Sequence, residues 1–167
     1  MATTLALVPL RSPGEGKTRL ASVLGTTARA ELAGAMLADV VQALTAAGIE
    51  RLVVVASGPA AAAAAAALGI DVITDAPEVR TLDDAIRTAA TRLAPADELL
   101  VAMADLPCLT ADDVTELLRT TAPVGLAATT DGGTGGLVRR PADVMPTAYG
   151  PASATRHAEL ALAHGLD

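Results

Sequence analysis

Tryptophan and phenylalanine are absent from this 167-residue sequence, and Tyr149 is its one aromatic residue. A chain this poor in rings is ill suited to reading single-stranded nucleic acid by stacking bases on aromatic side chains. Its core has to be assembled from small and branched aliphatics, which dominate an apolar fraction of 51%. Cysteine is nearly absent as well. Cys108 stands alone, which excludes an intrachain disulfide framework and a multi-cysteine zinc site. His157 and His164 are the only histidines, too few to complete a buried metal cage. Basic residues are outnumbered, for a net charge of −7. Without a basic stripe, a duplex nucleic-acid partner is not expected. A small anionic ligand held by backbone amides remains compatible with that charge. No basic segment followed by a long apolar stretch opens the sequence, and its longest apolar tract is alanine-dominated and short of a bilayer span. A cytoplasmic protein with no membrane partner is expected.

What is present is an alternation of apolar runs and helical patterns. Strands are read at Thr4–Leu10, Leu52–Ala56, Val72–Thr74, Leu99–Ala104, Val124–Thr129 and Leu137–Arg139. Between them, a helix is read from about Thr27 to Ala47. Another covers the eight alanines Ala60–Ala67, where Pro59 suits the first turn and Gly69 the end. Thr81 with Asp84, and Thr110 with Asp113, have cap-box spacing before further helices. Ser153 is read as the cap of a last helix ending at Gly165. This order predicts one α/β domain over residues 1–167, with a mostly parallel sheet and crossover helices. Ligands of such sheets bind beyond the carboxyl ends of the strands, which directs attention to Arg11–Lys17, Gly58, Asp75, Asp105 and Asp131–Gly136.

Three of these segments carry chemistry. The loop Pro9-Leu10-Arg11-Ser12-Pro13-Gly14-Glu15-Gly16-Lys17-Thr18-Arg19 leaves the first strand, and Lys17 is the sole lysine against eleven arginines. Gly14 and Gly16 let backbone amides approach phosphates; the plainer alternative is a solvated lysine beside a turn. Gly16-Lys17-Thr18 also suggests a P-loop, but Arg11 stands where that motif needs its first glycine, so a degenerate P-loop NTPase is a second reading. Leu99–Asp105 is an apolar run ending in one carboxylate. Asp105 is read as a magnesium ligand, because magnesium takes one or two protein carboxylates and completes its shell with phosphates and water; otherwise it only starts a turn before Pro107. Cys108 reads as a small buried apolar residue. Asp131-Gly132-Gly133-Thr134-Gly135-Gly136 is richer in glycine than a hairpin turn requires. With Tyr149-Gly150-Pro151-Ala152-Ser153 at a helix start, it forms a second candidate anion site. Arg139, Arg140 and Arg156 either add charge there or are surface residues, and His157 reads as structural. Two anion sites and no Ser-His-Asp or Cys-His arrangement suit phosphoryl or nucleotidyl transfer, which needs alignment and charge neutralisation more than side-chain chemistry.

Leu7–Arg11, Gly16–Ala21, Ala104–Pro107, Asp131–Thr134, Tyr149–Ser153 and Arg156-His157 together resemble motifs of the 2-phospho-L-lactate / phosphoenolpyruvate guanylyltransferases, relatives of the molybdenum-cofactor guanylyltransferases. The resemblance implies a three-layer, Rossmann-like nucleotide-diphospho-sugar-transferase fold with helices on both faces of the sheet. It implies transfer of GMP from GTP to phosphoenolpyruvate or 2-phospho-L-lactate, with release of pyrophosphate, in coenzyme F-420 biosynthesis. By matching motif, Leu10, Arg11, Ser12, Gly16, Lys17 and Arg19 would hold GTP, with Lys17 on its phosphates and Asp83 near base or ribose. Asp105 would bind magnesium; Thr134, Gly150 and Ser153 would hold the phosphorylated acid. The chain departs from the family where Thr81-Leu82-Asp83 replaces a Gly-Leu-Asn segment. The family also continues to an Asp-Val-Asp-Thr-Pro segment carrying a second metal carboxylate, so this chain is expected to lack that part. A non-catalytic nucleotide-binding paralogue is therefore the third reading, and a homodimer is left open.

Overall fold

The computed structural model describes residues 3–12, 20–75 and 78–166. Six strands form one sheet: β1 (Thr4–Leu10), β2 (Arg51–Ala56), β3 (Asp71–Thr74), β4 (Glu98–Ala102), β5 (Val124–Ala128) and β6 (Thr134–Arg139). Their order is β3-β2-β1-β4-β6-β5. The neighbours β1, β2, β3 and β4 pair in parallel, whereas β6 runs antiparallel to both β4 and β5. The sheet is thus mostly parallel, as expected, with one reversed strand.

Among the described residues four helices connect strands, α1 (Thr26–Ala46), α2 (Pro59–Ala66), α3 (Leu82–Arg92) and α4 (Ala111–Arg119), and α5 (Ser153–Ala163) follows β6. The alanine tract forms α2 with Pro59 in its first turn; Ala61 and Ala65, one turn apart, are both fully buried. Thr110 and Asp113 make the reciprocal capping box that their spacing predicts. Thr81 likewise accepts from the Asp84 N–H at the start of α3. Strand residues divide between two cores according to the alternation of side chains. Ala6, Val8, Val54, Leu100 and Val138 pack with Leu37, Val40 and Leu44 of α1, Ala61 of α2 and Val114 of α4. Leu5, Leu7, Val53, Leu99 and Val101 pack with Ala85, Ile86 and Ala89 of α3. The result is the three-layer, Rossmann-like arrangement with helices on both faces.

Three of the boundaries that differ from the expected ones bear on the strand ends where ligands are sought. The Leu99 strand stops at Ala102, because the Met103 N–H turns to the Gly135 carbonyl at 2.9 Å. Asp105 then lies exposed in a turn rather than closing the strand. Thr134–Gly136 belong to β6 instead of a loop, since the turn needs only residues 129–133, tied by Thr129 N–H to the Gly133 carbonyl. Ser153 is the first residue of α5, not its cap; Ala152 occupies the cap position in a left-handed conformation at φ 52°. That helix ends at Ala163, ahead of Gly165.

Candidate functional site

The carboxyl ends of β1, β2, β3 and β4 lie along one edge of the sheet, and the amino end of β6 joins them because that strand is reversed. At the exit of β1, the buried Leu10 accepts at its carbonyl from the Ser57 N–H (2.9 Å). Ser12 and Ser57 complete a staple: the Ser12 N–H donates to Ser57 Oγ (3.1 Å), and Ser12 Oγ donates to the Ser57 carbonyl (3.0 Å). Gly58 follows at φ +119°, where a Cβ would sit 3.4 Å from Ser12 Oγ. The first and second strand exits are therefore fixed together, with Arg11 exposed between them. Gly16, Lys17 and Arg19 fall outside the described residues. On the outer strand, Asp75 donates its N–H to the Ala56 carbonyl at 3.0 Å; partial burial raises its carboxyl above the usual range, opposed by the charge of Arg92.

The exposed Asp105 stands past the end of β4, on a turn that packs against β6: a Cβ on Gly135 would meet Leu106 at 3.4 Å. Asp105 also borders a mostly apolar cavity of about 360 Å³ between α4 and the β5–β6 pair. Cys108, expected to be buried, is exposed on the same turn, because the short strand brings the segment to the surface before α4 begins. Asp131 accepts from Thr129 Oγ1 (2.6 Å) and from the Gly133 N–H (3.2 Å), holding the glycine turn in shape.

A buried polar cluster sits where β6 starts. In a regular strand, Thr134 would share the face of Val138, which points into the α1–α4 layer. The pairing skips Gly135, however, running from Ala127 opposite Gly136 to Ala128 opposite Thr134. Such a bulge re-aims a side chain, and Thr134 turns towards α5. Ser153 Oγ donates to Thr134 Oγ1 at 3.0 Å, and His157 Nδ1 lies 3.0 Å from the same oxygen. The Ala148 N–H donates to His157 Nε2 at 2.8 Å. Thr134, Ser153 and His157 are 4%, 2% and 0% exposed. Tyr149 packs edge-on against the imidazole, ring centroids 4.9 Å apart, and burial raises its phenol pKa. Burial also lowers the pKa of His157; Asp83 and the Ser153 carbonyl oppose that shift, while Arg156 and Arg139 add to it.

Three ties hold this cluster. Asp83, in the first turn of α3, accepts the Tyr149 N–H at 3.0 Å; Asp83 therefore braces the loop beside the hydroxyl pair. Arg156 folds back to donate to the Ala148 and Tyr149 carbonyls, and it lies against Gly150, where φ is +122° and a Cβ would approach Nη2 to 3.1 Å. The Gly132 carbonyl accepts the Ala154 N–H (3.2 Å), joining the glycine turn to the start of α5. The other two arginines stand elsewhere. Arg139 is buried and donates to the Met145 carbonyl at 2.6 Å. Arg140 pairs with Glu98 at 2.5 Å and donates to the Leu118 and Ala122 carbonyls, at the end of the sheet away from Asp105. The sequence reading missed the Asp83–Tyr149 tie and the His157 contacts. No local signal points to either, since the partners lie 66, 23 and 9 residues apart.

One edge of the sheet thus carries the exit of β1, the Asp105 turn and a hydroxyl pair at a helix start. A nucleotide-diphospho-sugar-transferase structure from Desulfovibrio desulfuricans G20 superposes with a TM-score of 0.79 at 20% identity, over all of this chain and 78% of its own; this likeness shows the fold alone. The chain is 37% identical to a 3-phospho-D-glycerate guanylyltransferase of Phenylobacterium zucineum, over 96% of this chain and 78% of that protein. It is 34% identical to a phosphoenolpyruvate guanylyltransferase of Roseiflexus sp. (91% and 69%) and 32% identical to a 2-phospho-L-lactate guanylyltransferase of Methanothermobacter thermautotrophicus (98% and 73%). Residues 4–167 match the family described as "Guanylyl transferase CofC like". With the strand order, the site at the carboxyl edge and identities of this size in agreement, the chain belongs to that guanylyltransferase family and is a nucleotidyltransferase.

Proposed function

We propose that the protein transfers GMP from GTP to a small phosphorylated acid of the phosphoenolpyruvate, 2-phospho-L-lactate or 3-phospho-D-glycerate type. A phosphate oxygen of the acid attacks the α-phosphorus of GTP, and pyrophosphate leaves from it. The product with either of the first two acids is the diphosphoguanosine intermediate of coenzyme F-420 biosynthesis. The observation that carries this reading is the buried Thr134–Ser153 hydroxyl pair at the same sheet edge as Asp105. Hydroxyl donors and a helix start suit a phosphate. The attacking phosphate is already ionised near neutral pH, so no strong base has to be supplied.

Leu10, Arg11 and Ser12 support the nucleotide side, with Ser12 fastened to Ser57. Gly16, Lys17 and Arg19, outside the described residues, complete that side in the proposal. Thr134, Ser153 and the Gly150 loop hold the acid, and Asp83 acts on the acid side through Tyr149 rather than on the nucleotide base. Magnesium would sit at Asp105. Among the described residues no group of three or more His, Cys, Asp or Glu side chains could cage a metal. One exposed carboxylate suits an ion that arrives on the triphosphate and takes most of its shell from phosphates and water. Bound there, magnesium would neutralise charge on the reacting phosphates.

The test is pyrophosphate release from GTP and magnesium with each of the three acids in turn. Release that requires an acid is expected, with Asp105→Asn slowing it by about 10²–10³-fold, the usual loss when one electrostatic stabiliser is removed. An Asp105→Asn rate equal to wild type would overturn the metal assignment. GTP hydrolysis independent of any acid would favour a degenerate P-loop NTPase, and GTP binding without turnover a non-catalytic paralogue.

A further inference from the structure

The imidazole of His157 is wired into the hydroxyl pair in a way that fixes where its proton sits. Nε2 accepts the Ala148 N–H at 2.8 Å. A neutral imidazole has one N–H and one acceptor nitrogen, so the proton is on Nδ1, 3.0 Å from Thr134 Oγ1. Thr134 Oγ1 therefore accepts from the ring, whose N–H also faces the Ser153 carbonyl. The Ser153–Thr134 contact at 3.0 Å uses one of the two hydroxyl protons. The other hydroxyl proton finds no acceptor among the described residues, on a pair that is 4% and 2% exposed. Buried donors ordinarily find partners, and a phosphate oxygen is an acceptor of the required kind.

We infer that His157 is a positioning residue for the acid phosphate: its Nδ1–H occupies a lone pair of Thr134 and thereby turns one hydroxyl proton of the Thr134–Ser153 pair outward to the ligand. The imidazole touches no substrate. It acts through Thr134, and its own orientation is set by Ala148 on one side and Tyr149 on the other. This rests on the proposal that Thr134 and Ser153 hold the acid, and it adds the reason that the pair donates rather than accepts. An imidazolium would carry a second N–H at Nε2, facing the Ala148 N–H, so the neutral ring alone fits both neighbours. Burial of the ring, with Arg156 and Arg139 beside it, favours that neutral form against the opposing pull of Asp83 and the Ser153 carbonyl.

Two measurements test it. With only two histidines in the chain, ¹⁵N NMR of the imidazoles assigned by a His164→Gln control reads the tautomer directly. The Nδ1–H form is expected for His157 at neutral pH, and the Nε2–H form would overturn the inference. In steady state, with whichever of the three acids supports turnover, His157→Gln should raise KM for the acid at least tenfold and leave KM for GTP within twofold. His157→Asn, whose amide N–H stands in for Nδ1–H, should recover part of the loss. A folded His157→Gln enzyme with unchanged KM for the acid would overturn the inference. So would equal losses in both variants that track a fall in Tm. If Thr134→Val and Ser153→Ala also leave KM for the acid unchanged, the assignment of the acid site itself fails. If they raise it while His157→Gln does not, only the role of His157 fails.

Discussion

His157 illustrates how burial turns a side chain into a pH-dependent structural element. Desolvation lowers its pKa below the ordinary 6.5, so the unfolded chain binds a proton more readily than the native one. Native stability from this group is fully present above 6.5 and is lost as pH falls through the lowered native value. Tm should therefore decline as pH is lowered from 7.5 towards 5.5, and the slope should flatten in His157→Gln; an unchanged slope would rule out His157 as its source. Asp83 makes a separate point. The family resemblance implies a nucleotide contact for Asp83, and in the structure its carboxylate oxygen accepts the Tyr149 N–H across 66 residues of chain. Asp83→Ala should accordingly raise KM for the acid by several-fold and barely change KM for GTP, measured in the same assay. Thr134 and Ser153 were legible as candidate anion-site residues, because a hydroxyl among glycines and a serine at a helix start are suited to anions, and the structure places the two side by side. The contacts of Asp83 and His157 were not legible, because nothing in the spacing of residues 83, 148, 149 and 157 brings them together.

At the scale of elements, local chemistry decided most of the outcome. The capping box of α4, the cap of α3 and the alanine helix α2 stand where their residue types call for them, since caps and propensity act within one turn. Thr110→Ala should lower stability by about 1 kcal/mol, read by denaturant titration, without altering KM for either substrate. The loop entering α5 behaves differently. Gly150 has φ +122° and lies against Arg156, which itself holds the Ala148 and Tyr149 carbonyls. An alanine there has both an unfavourable backbone conformation and a close guanidinium. Gly150→Ala should cost at least about 1 kcal/mol and raise KM for the acid, because the strain falls on the loop that orients His157. An enzyme with wild-type Tm and KM would show the loop to be free to rearrange.

For the whole molecule, the reversed strand β6 is what assembles the site. It carries Thr134 to the carboxyl edge, and at its other end it leads to Arg140, whose guanidinium pairs with Glu98 and caps two carbonyls around α4. The pair is mostly buried, with side chains 21% and 11% exposed. Removing one partner strands the other, so Arg140→Leu should destabilise the fold by about 3 kcal/mol while the KM values hold; a change in KM with unaltered stability would contradict this division of labour. The apolar alternation, the turn residues and the caps determined the α/β class, the succession of elements and the search for ligands at the strand ends, because those signals act over a few residues and the sheet rule needs nothing more. Tertiary structure alone decided that β6 runs backwards, that a bulge at Gly135 swings Thr134 across to α5, and that Cys108 is exposed while His157 is sealed in. Each depends on which distant surfaces meet, a matter of packing and backbone register that no local preference encodes.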